Sequence, residues 1–314
     1  MDIKQDFKEI FWEEAGLKIS SQVPLARYSN FKIGGPADYF YEAKELVNLI
    51  KGAEVCRKYR LPFYVIGGGY NLLFDDEGYK GLIIRNLASM VKFIPGTGRV
   101  EVHSGAELGA VVDLSISEGL SGLEFLAGIP GTVGGAIYGN AGAFGQAIGD
   151  QVEQVSVLGE NGEEIILKTG EIQFAYRHSS LKKDHKVILR VWLRVEPDSK
   201  ATIENKIKDY LAKRASKHPP QGTACAGSYF KNPVLPDGRK IAAGRLLEEA
   251  GARDLRVGAA AVFSGHCNFI INLGGASARD VLTLAAELKE RVRKKSGFTL
   301  EEEVIYVPAT ASML

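Results

Sequence analysis

Ten of the chain's 36 glycines fall between residues 119 and 149, in the segment GLSGLEFLAGIPGTVGGAIYGNAGAFGQAIG. That segment is too apolar for a linker and too glycine-dense for a helix, so its backbone is expected to lie against something large. Glycine lacks a Cβ and reaches positive φ at little cost, which lets successive main-chain N–H groups approach and converge on a ligand, as around phosphates and flat heterocycles. A run of turns in a β-rich domain would use the same glycines, so the motif alone decides little.

A second cluster, Gly67-Gly68-Gly69-Tyr70-Asn71, follows the apolar run Phe63 to Ile66 and sits where a buried strand ends. A strand followed by a glycine loop is a phosphate-cradle context. Leu72-Leu73-Phe74 comes next, then the turn residues Asp75-Asp76-Glu77-Gly78, with no helix start and no G-x-G-x-x-G spacing. That argues against a Rossmann dinucleotide site, which needs a helix N-terminus directly after its glycines.

The chain has 314 residues, 45% hydrophobic and 25% charged, room for two or three domains of a globular protein. Its 39 basic and 38 acidic residues leave a formal charge of +1. Nothing global favours nucleic acid or an anionic membrane, and any anionic ligand must be held locally. The segment from Met1 to Lys8 lacks the apolar core of a signal peptide, and no run of 18 apolar residues occurs, so a cytoplasmic protein is expected. Cys56, Cys225 and Cys267 are widely spaced and odd in number, and the five histidines show no ligand spacing, so neither a disulfide framework nor a metal site is indicated.

Periodicity predicts an amphipathic helix over 43–60, strands over 81–85 and 99–104, and a helix from Glu107 to Glu118 ended by Gly119. Residues 151–196 read as strands around the Glu160-Asn161-Gly162 turn. A composition break at Pro197-Asp198-Ser199 precedes helices over 203–217, 241–250 and 277–295 and strands over 262–263, 269–272 and 304–307. The mixture is α+β rather than a strict βαβ repeat.

Several ordered blocks carry a family resemblance: Tyr28 to Asp38 (YSNFKIGGPAD), the GGGYN loop, Ala127 to Ala136 (AGIPGTVGGA), Asn140-Ala141-Gly142, Tyr176-Arg177-His178-Ser179, Gly227 to Pro233 (GSYFKNP), Ala250-Gly251, His266 to Phe269, and Leu300 to Val304 (LEEEV). In this order they resemble the UDP-N-acetylenolpyruvoylglucosamine reductase (MurB) family of peptidoglycan precursor synthesis. The likeness runs from about residue 24 to residue 307. It implies an α+β fold with a two-lobed FAD-binding domain of the vanillyl-alcohol oxidase (PCMH) type and a C-terminal α+β substrate-binding domain. The implied division is an N-terminal helical segment at 1–23, the flavin domain at 24–197, the substrate domain at 198–308 and a tail at 309–314.

The resemblance also implies non-covalent FAD, NADPH as hydride donor, and UDP-N-acetylglucosamine enolpyruvate as substrate, in a monomer that binds neither nucleic acid nor membrane. Gly67, Gly68, Gly69, Asn71, Gly128, Ile129, Gly134 and Gly135 would contact the FAD. Arg177 would stabilise the charge that hydride addition creates, Ser228 would donate the proton, and Glu303 would complete the catalytic set. Lys217 and Asn232 would hold the UDP diphosphate.

Without the resemblance, Arg177 reads equally as a surface arginine, Ser228 as a loop serine, and Glu301, Glu302 and Glu303 as one solvated acidic edge that periodicity cannot rank. His266 reads as structural and Cys267, where the family usually has alanine, as a packed thiol. Two further departures stand out. Tyr70 replaces a usual serine and would have to turn its ring outward, and His178 replaces a frequent aspartate beside Arg177. The short spacing from Arg177 to the break near 198 leaves no room for the extra substrate-covering loop of the family's longer form. No separate NADPH motif is visible, which suits a cleft that nicotinamide and UDP-sugar occupy in turn. The rival readings are another FAD-dependent oxidase of the same superfamily and a non-catalytic flavin or UDP-sugar binding protein; the GSYFKNP and LEEEV blocks argue against the first, and Arg177, Ser228 and Glu303 together against the second.

Overall fold

The computed structural model describes residues 3–183, 185–215 and 218–310, with side chains from Phe7 onward. The chain folds into three packed regions of mixed helix and strand, each with its own apolar core.

The first region holds α1 (Ile3–Ala15), β1 (Ser20–Pro24), β2 (Pro36–Ala43), α2 (Leu46–Lys58), β3 (Phe63–Ile66), β4 (Leu72–Phe74) and β5 (Tyr79–Asn86). Its sheet runs β1-β2-β5-β3, with β2 and β3 parallel to β5 and β1 antiparallel to β2. β5 is buried along nearly its whole length, as a central parallel strand must be, which explains its Leu82-Ile83-Ile84 run. α1 and α2 cover one face, where Phe7 and Phe11 pack with Tyr39, Leu49 and Leu82.

The second region holds β6 (Val91–Ile94), β7 (Arg99–His103), α3 (Leu108–Glu118), α4 (Val133–Gly139), β8 (Val152–Leu158), β9 (Glu164–Lys168) and β10 (Ile188–Arg194). The sheet is antiparallel in the order β9-β8-β10-β7-β6. α3 ends at Gly119, which takes the left-handed conformation at φ +65° that a helix C-terminus favours.

The glycine-dense segment does contain a helix, contrary to its composition. α4 begins at the Thr132 cap, whose hydroxyl accepts the Gly135 N–H at 3.3 Å, and buries Val133, Ala136 and Ile137. Tertiary packing of that apolar face overrides the poor propensity of its glycines. Gly134 is required by the fit, since a Cβ there would stand 2.9 Å from the Ser104 carbonyl oxygen.

The third region follows α5 (Lys200–Ala215), which packs Ile207 and Tyr210 on the second region's core. It comprises α6 (Ala243–Glu249), β11 (Arg256–Val257), β12 (Ala260–Val262), β13 (Ile270–Asn272), α7 (Ala278–Ser296) and β14 (Ile305–Val307). α7 opens on a capping box made by Ser277 and Asp280 and buries Val281, Leu284, Ala285, Leu288 and Val292 at helical spacing. β14 leaves its own region and pairs in parallel with β4, Ile305 opposite Leu72 and Val307 opposite Phe74. The Asp76 carboxylate strengthens this junction by accepting the Ala278 N–H at 2.7 Å and that of Arg279. No helix among the described residues is long and apolar enough to cross a membrane.

Candidate active site

The first glycine loop leaves β3 and turns sharply because Gly69 adopts φ +69°. A Cβ on Gly69 would lie 1.8 Å from the Tyr28 carbonyl oxygen, so no other residue fits. The reason is the strap at residues 28–31: Asn30 N–H donates to the Gly69 carbonyl at 3.1 Å, and Ser29 Oγ donates to the Leu72 carbonyl at 3.1 Å. Gly67 faces the second glycine segment so closely that a Cβ would stand 2.3 Å from Thr132 Oγ1. The two segments singled out in the sequence therefore meet.

No hydrogen bond within the described residues takes up the N–H groups of Gly68, Gly69 or Tyr70. In the second segment Ile129 N–H donates to Leu126 at 3.0 Å, Gly134 to Ser104 at 2.8 Å and Gly135 to Thr132 Oγ1. The N–H groups of Gly128 and Gly131 in the second segment also find no acceptor among the described residues, but the consecutive donors Gly68, Gly69 and Tyr70 lie in the first loop. Gly128, at φ +73°, is covered by Leu211 and Arg214 of α5. The first loop thus suits the diphosphate of a flavin dinucleotide, because adjacent unpaired N–H donors form an anion nest. Tyr70 is exposed, as its bulk predicts, and the inner edge of its ring lies over Gly68, where a Cβ would be 2.7 Å from its Cε2. Asn71 turns toward the other side of the site, its amide donating to the Glu303 carbonyl at 3.0 Å while its own carbonyl accepts the Ile305 N–H at 3.0 Å.

Arg177 sits at φ +55° between the two-residue strands Phe174–Ala175 and His178–Ser179. Its Nε lies 2.8 Å from Glu303 Oε1, a contact that is ionic rather than an aligned hydrogen bond. Its NH1 donates to the Gly142 carbonyl at 2.9 Å. The hairpin is tied down by Asn140 Nδ2, which donates to Ala175 at 2.8 Å, and by Ser179 Oγ, which donates to Tyr138 at 2.8 Å. Burial pushes the Glu303 carboxyl above its ordinary range, opposed by the charges of Arg177, Lys182 and Lys231.

The three glutamates that periodicity could not rank separate cleanly. Glu301 pairs with Lys231 and its side chain is 73% exposed, Glu302 pairs with Lys289 of α7, and Glu303 pairs with Arg177 at 22% exposure. Alternation along a short extended segment carries no record of which distant cation each side chain meets.

Ser228 is half-buried and follows Gly227, which is at φ +76°. The next residue, Tyr229, accepts the Glu303 N–H through its carbonyl at 2.8 Å, so the backbone bearing Ser228 runs beside the Arg177–Glu303 pair. Asn232 uses its Oδ1 to accept the Ala243 N–H at the start of α6 (2.9 Å), and its own N–H donates to the Tyr176 hydroxyl at 3.3 Å. Lys217 lies outside the described residues. Asn268 bonds to both main-chain groups of Phe230, which supports a structural role for the His266 to Phe269 block, and the Cys267 thiol is buried. His178 is exposed.

Two participants escaped the sequence reading. Lys182 donates to the Arg177 carbonyl at 3.1 Å, and Lys240 stands 4.0 Å from the centre of the Tyr176 ring. Neither spacing nor composition separates Lys182 from the adjacent Lys183, because only the fold decides which is drawn inward.

Comparison with known proteins identifies the two domains and the family. Residues 219–307 match the C-terminal domain of UDP-N-acetylenolpyruvoylglucosamine reductase, and residues 37–168 match an FAD-binding domain. A UDP-N-acetylenolpyruvoylglucosamine reductase from Caldanaerobacter subterraneus is 37% identical over 290 residues, 91% of this chain and 93% of that one. Another, from Syntrophus aciditrophicus, is 40% identical over 90% of this chain and 89% of its own. The crystal structure of the Thermus caldophilus reductase (MurB) superposes with a TM-score of 0.77 at 33% identity, covering 93% of this chain and 99% of that one. On that identity along nearly its whole length, this chain belongs to the UDP-N-acetylenolpyruvoylglucosamine reductase family.

Proposed function

We propose that this protein reduces UDP-N-acetylglucosamine enolpyruvate to UDP-N-acetylmuramate with electrons from NADPH, as a monomer in the cytoplasm. The observation that supports this most is the Arg177–Glu303 pair, assembled from two distant parts of the chain beside a glycine loop with unpaired N–H donors. FAD, when bound, supplies the hydride chemistry by accepting hydride from NADPH and passing it to the vinyl carbon. Gly68, Gly69 and Tyr70 would hold its diphosphate through their main chain.

Hydride addition to the terminal vinyl carbon leaves an electron pair on the carbon next to the carboxylate, spread over the carboxylate as an enolate. Arg177 would bind that carboxylate and stabilise the added charge, because a guanidinium stays cationic and its planar fork fits a carboxylate. Glu303 holds the guanidinium by its Nε side. Ser228 would give its hydroxyl proton to the carbanionic carbon, a favourable transfer because that carbon is the stronger base, and water would restore the hydroxyl. Asn232, with Oδ1 occupied at α6, keeps its Nδ2 to donate to a diphosphate oxygen. Lys217 is assigned to the same diphosphate on the sequence resemblance. Among the described residues the connection from Arg177 to β10 holds the strand His178–Ser179 and a 3-10 turn at Ser180–Lys182, and this short span supports the family's shorter form.

The test is anaerobic stopped-flow absorbance on purified protein. NADPH should bleach a yellow flavin band, and UDP-N-acetylglucosamine enolpyruvate should restore it. A protein that takes up no FAD, or whose reduced flavin is indifferent to that substrate, would falsify the reading.

A further inference from the structure

We propose that Lys182 is a positioning residue that fixes Arg177 in its working orientation; the inference rests on the role given to Arg177 above. Arg177 occupies a left-handed backbone conformation, φ +55°, which a non-glycine residue keeps only when its surroundings hold it. The ties at Asn140 and Ser179 anchor the flanking residues Ala175 and Ser179. The Arg177 peptide itself is held by Lys182, whose Nζ donates to the Arg177 carbonyl at 3.1 Å. Without that tie the turn can relax out of the left-handed region, and a change in φ at Arg177 would redirect its Cα–Cβ bond away from Glu303 and the Gly142 carbonyl.

The setting makes this bond dependent on charge. Lys182 reaches inward from the turn Ser180–Lys182, with its ammonium 5.8 Å from the centre of the Tyr138 ring. It faces the cations Lys231 and Arg177 and the anions Glu303 and Glu301. Burial, then the neighbouring Lys231, pulls its pKa below the ordinary lysine value. Burial moves the half-buried Tyr138 phenol the other way, upward. As pH rises, Lys182 loses its proton earlier than a solvated lysine and becomes a weaker donor. The second half-reaction should therefore have an alkaline limb set by Lys182.

The experiment uses FAD-loaded protein with its flavin reduced by NADPH, mixed anaerobically with UDP-N-acetylglucosamine enolpyruvate across a pH series. Lys182→Met should lower the limiting rate of flavin reoxidation by about tenfold to a hundredfold, mainly in the rate and little in the apparent substrate affinity, as for a group that acts through transition-state stabilisation. Lys182→Arg keeps a permanent donor and should recover most of the rate while moving the alkaline limb to higher pH. A Lys182→Met protein that reoxidises at the parent rate overturns the proposal, and so does a Lys182→Arg protein whose alkaline limb stays in place. If Lys182→Met does not retain FAD, the pH profile of Lys182→Arg decides alone. Arg177→Ala, run alongside, separates the two readings: a parent rate there removes the role of Arg177 itself, whereas a slow Arg177→Ala with a parent-like Lys182→Met removes only the role of Lys182.

Discussion

The glycine loop at residues 67–71 and the charged cluster at Arg177, Lys182 and Glu303 are built on opposite principles. The loop works through main chain: its shape is set by what cannot be present, a Cβ at Gly67 or Gly69, and its N–H groups would serve whatever the neighbouring side chains are. The cluster works through side chains that are useful only in one another's company, brought together from a hairpin turn and an extended segment. Damage to the first should therefore appear in flavin retention and stability, and damage to the second in one half-reaction with the flavin still in place.

The largest expected effect tests the cluster. Arg177→Ala should slow flavin reoxidation by about two to four decades, the scale of losing a principal electrostatic group, while NADPH still reduces the flavin normally. A change confined to the substrate's apparent KM would make Arg177 a binding residue only.

Ser228→Ala should slow the same half-reaction by roughly two to three decades, the range for general-acid removal. Ser228→Cys should recover part of it, and a solvent deuterium effect should track the proton step. Parent-like reoxidation in Ser228→Ala would assign the proton to water or another residue.

Gly69→Ala moves the effect to the other region. A residue at φ +69° with its Cβ 1.8 Å from a carbonyl oxygen cannot be accommodated without shifting the 28–31 strap. Thermal unfolding should show a loss of about 2–4 kcal/mol, the sum of backbone strain and displaced packing, with weaker FAD retention. If Gly69→Ala kept its FAD and lost only reoxidation rate, the division between the two regions would fail.

Glu303→Gln should cost about tenfold in reoxidation, because the amide keeps the shape but not the charge that holds Arg177. It should also erase an acidic limb of the pH profile. The Glu303 carboxyl is raised by burial, so the paired anion is lost at a higher pH than an ordinary glutamate would lose it. The sign for stability is the reverse of the usual one. The folded state holds this proton more tightly than the unfolded chain, so acidification through the raised pKa favours folding at this residue, and Glu303→Gln should not destabilise the protein at neutral pH.

The smallest effect is a control within the second glycine segment. A Cβ at Gly139, the last residue of α4, meets nothing within 4 Å, so Gly139→Ala should leave both half-reactions unchanged and raise stability by about 0.5–1 kcal/mol, chiefly by restricting the unfolded chain.

The same contrast governs what the sequence makes legible. Gly67, Gly69 and Gly134 announce themselves because close approach forbids a side chain, and the prohibition is local enough to read. The long helices were legible too: α7 carries its cap at Ser277, its apolar face and its stop at Gly297 within one stretch. α4 was not, since Val133, Ala136 and Ile137 stabilise it only against a sheet distant in sequence. The availability of N–H groups was likewise hidden, because Ile129, Gly134 and Gly135 look as free as Gly68 until their acceptors are in place. Arg177 and Glu303 needed the family resemblance to be singled out, and Lys182 was missed altogether. The outward ring of Tyr70 follows from its bulk, whereas its seat over Gly68 depends on the turn and is seen only in the structure.

The pairing of β14 with β4 bears on how the protein is made. Asn71 and Glu303, bonded across that junction, are 232 residues apart. At typical synthesis speeds of about 5–20 residues per second, β4 waits roughly ten to fifty seconds on the ribosome before its partner strand exists. During that interval Leu72-Leu73-Phe74 presents an apolar strand edge, and such edges recruit other chains. The nascent protein is thus at its most vulnerable to self-association beside its future flavin loop, and a chaperone or an early-arriving dinucleotide that covered residues 67–74 would raise the yield of active enzyme without altering its final stability.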